Sequence, residues 1–445
     1  MYNAYIVTIN ELRKHSNADR LQVATVFGEN VIVDLSYKVG DKCVYFPTDG
    51  QLSVEFANDM NLVRKKDENG KNIGGYLEPN KRNIKAINLR GERSNGLILK
   101  IDCLSKYTDV SKLKDGDTIT VLDGHEICRK YIPYRRHNPN AKYELNKTRP
   151  TLKVKYPEFN EHIDTAQLAY NQSAFHEGDI VYLTQKLHGT SQRTSHTKEI
   201  SIKRRSRLAH ALGFRDKVTE TWKVVSGTRR TVIKSFENGG FYGSDKFRQR
   251  FHDNLVDKLP KGMTVYYEVV GWVNEHTPIM GRCKNSKVKD KYFSELYGEE
   301  TVFTYGCEPG ECEAYIYRIT VTNDGIEYDL PTAAAQIWAE KLGMKFVPVL
   351  DHFVFTTWDD LNKRCDRYLD FPEPLANGAH VTEGVVVRIE NRAKFEAYKI
   401  KSWTFRVIEG LVKDEATEPD IEEAQELLDE NLDVCNGSKF KLSIR

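Results

Sequence analysis

The chain opens in short alternating runs. In "LQVATVFGENVIVDL" (21–35) apolar and polar residues alternate on both sides of Gly28, the period-2 pattern of a half-buried hairpin. "KVGDKCVYFP" and "SNGLILKID" repeat it, so residues 1–122 read as many short strands separated by turns, a small barrel. The period fails at 123–150, where "GHEICRKYIPYRRHNPNAKYELNKTRP" mixes prolines with arginines and predicts a basic linker. Residues 151–404 then alternate strand-like and helix-like stretches. "PTAAAQIWAEKLGMKF" predicts a helix stopped at Gly343, and "FVPVL" a strand after it. Residues 405–445 include an acidic helical stretch, "EPDIEEAQELLDENL". The expected fold class is α+β, with segments bounded at 1–122, 123–150, 151–404 and 405–445.

Composition adds limits. At 445 residues the chain exceeds one ordinary domain of about 100–200 residues, so two or three cores are expected. Its 66 basic and 64 acidic residues leave a net charge of +2, which allows a basic groove without a basic protein. No apolar run approaches the ~18 residues of a membrane helix, and "MYNAYIVTIN" lacks the pattern of a signal peptide. The expectation is a monomer, not membrane-bound, in the cytoplasm (that of an infected host cell if the chain is viral). Eight scattered cysteines predict reduced, structural thiols, with Cys307 and Cys312 flanking a turn at "EPGE" rather than holding zinc.

The chemistry concentrates in a few short stretches. "VYLTQKLHGTSQRT" (181–194) ends a β-like run in Lys186, followed by His188, Gly189 and two hydroxyls. "VYYEVVGW" carries a lone carboxylate, Glu268, in an apolar strand, and "TEGVVVRIE" places Glu383 at a strand's mouth. In "EAYKIKSW", Lys399 and Lys401 are two apart and share one strand face. "EISIKRRSRLAH" packs Lys203, Arg204, Arg205 and Arg207 together, with Lys203 and Arg205 opposite Ile200 and Ile202 if those face the core. Each has a bland reading as a surface cation or an edge carboxylate. Together they supply what attack on a nucleoside triphosphate needs: an amine, cations for phosphate oxygens, and carboxylates for Mg²⁺ or Mn²⁺.

In that order, "KLHG", "YYEVVG", "TEGVVV" and "KIK" resemble the motifs of the covalent nucleotidyltransferases, the superfamily of ATP-dependent ligases and mRNA capping enzymes. The resemblance covers about 150–404 and implies antiparallel sheets with flanking helices. It makes Lys186 the nucleophile that forms a lysyl-AMP and sets Lys399 and Lys401 on the phosphates. Glu383 would organise the metal's water, and Glu268 would contact the ribose or the metal. Arg205 best matches the arginine downstream of the nucleophile, with Arg204 second. Tyr317 best matches the aromatic stacked on adenine, with Tyr305 second. Gln185 replaces a glutamate, and its amide can still accept from the adenine amino group. His188 replaces the aspartate of most relatives, and K-x-H-G followed by threonine resembles the RNA ligase 2-like branch.

The N-terminal stretch "HSNADRLQVATV" resembles the tRNA-binding OB-folds, and "KVGDKCVYFPTDG" with "IKAINLRGERSNGLIL" resembles the N-terminal OB domain of Naegleria-type RNA ligases. That implies RNA contacts, for which Arg20, Lys85, Arg90 and Arg93 are the candidates. DNA ligases and capping enzymes place an OB domain after the last motif, but only 44 residues follow Lys401 here. The expected activity is therefore ATP-dependent joining of RNA 3′-hydroxyl and 5′-phosphate ends in RNA repair. The alternatives are a DNA ligase, a capping guanylyltransferase, or a non-catalytic RNA-binding relic. The basic stretches "GTRRTVIKSF" and "SDKFRQRF" are expected to include phosphate contacts.

Overall fold

The computed structural model describes residues 2–131 and 152–413, except 49, 67, 69–71, 164, 204, 206–210, 230, 238–241, 291, 391, 393 and 410–411. Two compact units result. The first combines residues 1–134 with 285–295 and 406–445, and the second holds 135–284 and 296–405. Arg204, most of the basic linker and the acidic C-terminal stretch lie outside the described residues.

In the first unit, Ala4–Thr8 pairs antiparallel with Lys42–Phe46, which also pairs with Leu97–Lys100. The alternation of the first of these strands sends Ala4 and Ile6 inward, onto Val44, Phe46, Leu99 and Phe56. Leu21–Val26 and Glu29–Asp34 form the hairpin that the period-2 pattern predicts. The unit is an OB-fold domain. It also exceeds its expected bounds. Cys128–Lys130 pairs with Gly50–Leu52, and Val412–Lys413 lies parallel to Ala86–Leu89. The start of the expected linker, segment 285–295 and the described residues between 406 and 413 therefore join this unit.

The second unit holds two sheets. The strands of the larger are β1 (Leu152–Lys155), β3 (Thr190–Lys203), β4 (Lys217–Gly227), β5 (Met263–Gly271), β6 (Cys312–Asn323) and β7 (Ile326–Asp329), with the short Lys345–Phe346 pairing parallel to β6. Its path runs β1-β3-β5-β6-β7, with β4 on the outer edge of β3. The smaller joins Ala166–Gln167, β10 (Glu396–Lys401), β9 (Gly384–Ile389), β2 (Ile180–Lys186) and β8 (Val349–Val354). Helices α1 (Lys246–Val256) and α2 (Thr332–Leu342) supply Phe251, Leu255, Ala335 and Ala339 to the core against Val265, Tyr267 and Ile316 of the large sheet. Helix α3 (Trp358–Asp366) sets Leu361 and Cys365 against Val181, Leu183, Val385 and Val387 of the small one. Helix α2 ends at Gly343, whose φ of +67° suits the left-handed cap that glycine adopts without strain. The seven described cysteines carry free thiols, and among the described residues no helix is long and apolar enough to cross a membrane.

Candidate active site

Strand alternation decides which side chains meet. On β2, Val181 and Leu183 face the α3 core, so Lys186 projects from the opposite face. Lys186 is paired across the ladder with Gly384, and Lys401 of β10 pairs with that same glycine. A Cβ on Gly384 would sit 2.1 Å from the Ile400 carbonyl oxygen, so only glycine lets β10 approach so closely. The result draws both lysines onto Glu383. Lys186 Nζ lies 2.7 Å and Lys401 Nζ 3.4 Å from Glu383 Oε1, on a carboxylate only 1% exposed. Burial alone would raise that carboxyl, but Lys186, Lys401 and His188 outweigh it and hold it at about 2. Lys399, two residues before Lys401, shares its strand face.

The second carboxylate comes from the large sheet. Gly189 passes so close to β5 that a Cβ would sit 2.3 Å from the Val269 carbonyl oxygen, and its N–H donates to Glu268. Burial pushes Glu268 up to about 7, opposed by Lys186 and reinforced by the charge on Glu383. Two carboxylates thus sit beside one lysine in opposite charge states, one ionised and one half-protonated near neutrality. Glu383 Oε2 is buried and has no partner among the described residues. Two carboxylates suit Mg²⁺ or Mn²⁺ only where phosphates and water complete the ligands, and no described cluster of three metal-ligating side chains exists.

His188 is packed rather than solvated. Its ring stands edge-on between Phe303 and Phe405, each 4.9 Å away, and its backbone N–H donates to the Tyr305 hydroxyl at 2.7 Å. Tyr305 is thereby a brace, which leaves Tyr317 as the candidate stacking ring. Between β5 and β6 the register jumps, pairing Tyr266 with Arg318 and Tyr267 with Ile316. Tyr317 is the extra residue of that bulge. A bulge re-aims its side chain, and this one sets the Tyr317 hydroxyl 3.2 Å from Ser191 Oγ, on the neighbour of Glu268.

One expectation fails. Arg205 lies twelve strand residues and more beyond Ser191 on β3; at ~3.3 Å each this is roughly 40 Å of strand. It cannot join the cluster. The arginines near the site are Arg193, two positions from Ser191, and Arg229, just past the return of β4. In "SDKFRQRF", Lys246 and Arg250 are exposed, whereas Arg248 is not. Arg248 is 2% exposed, paired with Asp245 at 2.9 Å, and it donates to Thr190 Oγ1 at 2.6 Å and the Ser191 carbonyl at 3.2 Å. It holds the chain just after the nucleophile motif. Gln185 faces away from Lys186 and donates to Glu373, so its amide nitrogen is engaged.

His162 was not anticipated from the sequence. Its ring stands 5.1 Å from Tyr317, and burial with Arg229, Arg318, Arg193 and Lys186 nearby pushes it down to about 3. A lone histidine in an irregular stretch gives no local signal. The RNA candidates of the first unit do come together. Arg90 and Gly91, both at positive φ, form the two-residue turn between Ala86–Leu89 and Glu92–Asn95, the strand that carries Arg93. Lys85 precedes the first of these strands. Glu92 binds Arg13 and the Ser16 N–H, which ties this hairpin to the 15–20 loop that carries Arg20.

The comparisons agree with this geometry. An OB-fold domain family matches residues 4–101. No curated protein sequence matches. Among solved structures, a Naegleria gruberi RNA ligase arginine mutant with ATP and Mn covers 91% of this chain and 97% of its own, at 17% identity and a TM-score of 0.57. The same protein with PPi covers 91% and 97%, at 15% identity and 0.56. A lysine mutant with AMP and Mn covers 90% and 96%, at 15% and 0.55. At these identities the likeness is one of fold. The family described as RNA ligase matches residues 179–402, just over half of the chain and every element that carries Lys186, Glu268, Glu383 and Lys401; the chain belongs to the RNA ligase family.

Proposed function

We propose that the protein is an ATP-dependent RNA ligase that joins 3′-hydroxyl and 5′-phosphate ends, with RNA repair as its setting. The observation that carries this reading is the Lys186–Glu383–Lys401 cluster facing Glu268, in which the Lys186 amine is held among groups suited to a triphosphate. In the first step Lys186 Nζ attacks the α-phosphorus of ATP, an N–P bond forms and pyrophosphate leaves. An RNA 5′-phosphate oxygen then attacks that phosphorus, which frees Lys186 and leaves AMP on the RNA end. Finally the 3′-hydroxyl attacks the activated phosphate, closing the phosphodiester as AMP departs. All three are in-line displacements, so the protein contributes position and charge.

Lys186 must attack as a neutral amine, so its ion pair with Glu383 has to be broken and its proton lost beforehand, which nearby cations such as Lys399, Lys401 and a bound metal would favour. Lys401 and Lys399 would then balance the phosphates, Tyr317 would stack on adenine, and Arg193 and Arg229 would approach the phosphates from the β3–β4 return. Glu383 and Glu268 would hold Mg²⁺ or Mn²⁺ together with ATP oxygens, and the bound cation would neutralise charge on the leaving pyrophosphate. The test is sealing of a 5′-phosphorylated RNA to a 3′-hydroxyl RNA with ATP, beside matched reactions with GTP and with an all-DNA pair. A sealed product with ATP and RNA supports the reading. Sealing that requires GTP, or that occurs only on DNA, contradicts it.

A further inference from the structure

We infer that the outer half of the β3–β4 hairpin, with β1 along its edge, is an RNA-docking ribbon that grips the substrate's phosphate backbone away from the reacting ends. It takes the identity of the polyanion from the ligase reading above. The geometry starts with the pairing of β3. Strand β5 lies along it only from Thr190 to Ser195. From His196 to Lys203 the strand continues for eight residues, roughly 26 Å, between β4 and, over residues 200–203, β1. No residue of 198–203 or 217–223 is buried. Sheets normally bury at least one face; this ribbon only half-buries residues 198–202 and Trp222.

Its charges are arranged as few isolated surfaces tolerate. Lys203 and Lys217 are Cα partners, directly opposite each other across the ladder, where like charges repel. Arg205 and Arg215 flank that pair, and Lys153 and Lys155 lie on β1, all of them exposed. Among the described residues none of these six cations forms an ion pair. Of the nearby acids, Asp216 accepts the Arg205 backbone N–H at 2.9 Å, Glu199 accepts from the Tyr156 hydroxyl at 2.8 Å and pairs with Lys223, and Glu158 pairs with Lys198; Glu220 is exposed on β4 opposite Ile200, away from the Lys203–Lys217 end. In a chain with a net charge of only +2 this is strong segregation. A duplex presents about one phosphate charge per 1.7 Å of axis, so a strip of this length runs past on the order of fifteen of them. Exposed lysines and arginines read phosphate position and not base sequence.

The experiment is fluorescence anisotropy of a labelled nicked RNA duplex with the full-length chain between 50 and 200 mM KCl. Lys153→Glu/Lys203→Glu is compared with wild type and with Lys341→Glu/Lys363→Glu, the same charge change on α2 and α3. Lys203→Glu sets a carboxylate opposite Lys217, which favours the ribbon's fold. The ribbon variant is expected to bind about tenfold more weakly. Its salt slope should be shallower by about 2, because each phosphate that a cation neutralises contributes about 0.9 to the slope. The control stays near wild type, and lysyl-AMP forms in all three. Equal affinity and slope in the ribbon variant and wild type would overturn the proposal, as would an equal loss in the control. Absence of lysyl-AMP from every protein would instead sink the ligase reading, with the binding comparison still deciding the ribbon.

Discussion

The two ends of β3 obey opposite rules. At the inner end several buried polar side chains are matched to partners, although Gln192 Oε1, Arg193 Nε and Thr197 Oγ1 have none among the described residues. Thr190 is held by Arg248, Thr194 lies 2.8 Å from both Ser226 and Tyr267, and Thr264 donates to Ser195. A few residues further along the same strand, lysine faces lysine across a ribbon with no buried residue. The difference follows from burial. Where water is excluded, an unpaired polar group costs about 1–3 kcal/mol, so partners are specified and the geometry becomes rigid. Where water remains, charge can be left for a partner that arrives later. The inner end is built for fixed chemistry and the outer end for binding.

The largest effect that would sharpen this contrast is at the nucleophile. Lys186→Ala should lower lysyl-AMP formation by on the order of 10⁴-fold or more, as for other nucleophile deletions. It should spare sealing of a pre-adenylylated RNA more than Glu383→Ala does, and equal losses on that substrate would break the assignment of separate roles.

Glu383→Gln comes next. It leaves two lysines without their buried counter-charge, which should destabilise the unit by about 3 kcal/mol in chemical denaturation at pH 7. Because the Glu383 carboxyl is held down near 2, its contribution is complete above about pH 4.5 and is lost as pH falls towards 2. The gap between variant and wild type should close across that window. A constant gap would contradict the ion-pair account.

These two predictions rest on residues legible in the sequence, and the reason is physical. Lys186, Glu268, Glu383 and Lys401 sit in or beside short apolar strands whose period-2 pattern states which way each side chain points. Glycines mark the close approaches beside them. What the sequence concealed depended on strand length and on pairings far along the chain. Arg205 looked close to the nucleophile because nothing local says that β3 runs unbroken for fourteen residues. Tyr305 meets His188 across 117 positions and Gln185 meets Glu373 across 188, contacts that no local pattern encodes. Nothing local separates Arg248 from the other cations of "SDKFRQRF", because its burial is a property of how α1 packs.

Arg248 therefore offers a sharper test. Arg248→Ala should cost about 2–3 kcal/mol, leaving Asp245 and two acceptors unpartnered, and should slow adenylylation by loosening Thr190 and Ser191. A variant with wild-type stability would place Arg248 among the free cations of the outer ribbon. The smallest effect has the opposite sign. Glu268 is pushed up to about 7, so its burial is costless below about pH 4.5, becomes increasingly unfavourable between 4.5 and 7, and levels off above. Glu268→Gln should match wild-type stability at pH 5 and exceed it by up to about 2 kcal/mol at pH 8 while adenylylation falls. No pH-dependent gain in thermal melts would contradict the raised carboxyl.

The account's central claim is that Lys186 is the nucleophile at the inner end of this sheet pair. The direct measurement is intact-protein mass after incubation with ATP and Mg²⁺ or Mn²⁺, followed by peptide mapping, with Lys186→Ala alongside. The account predicts a single AMP adduct that maps to Lys186 and is missing from the variant. Folded, previously unmodified protein that gains no adduct, or gains it on another lysine such as Lys401, would contradict it.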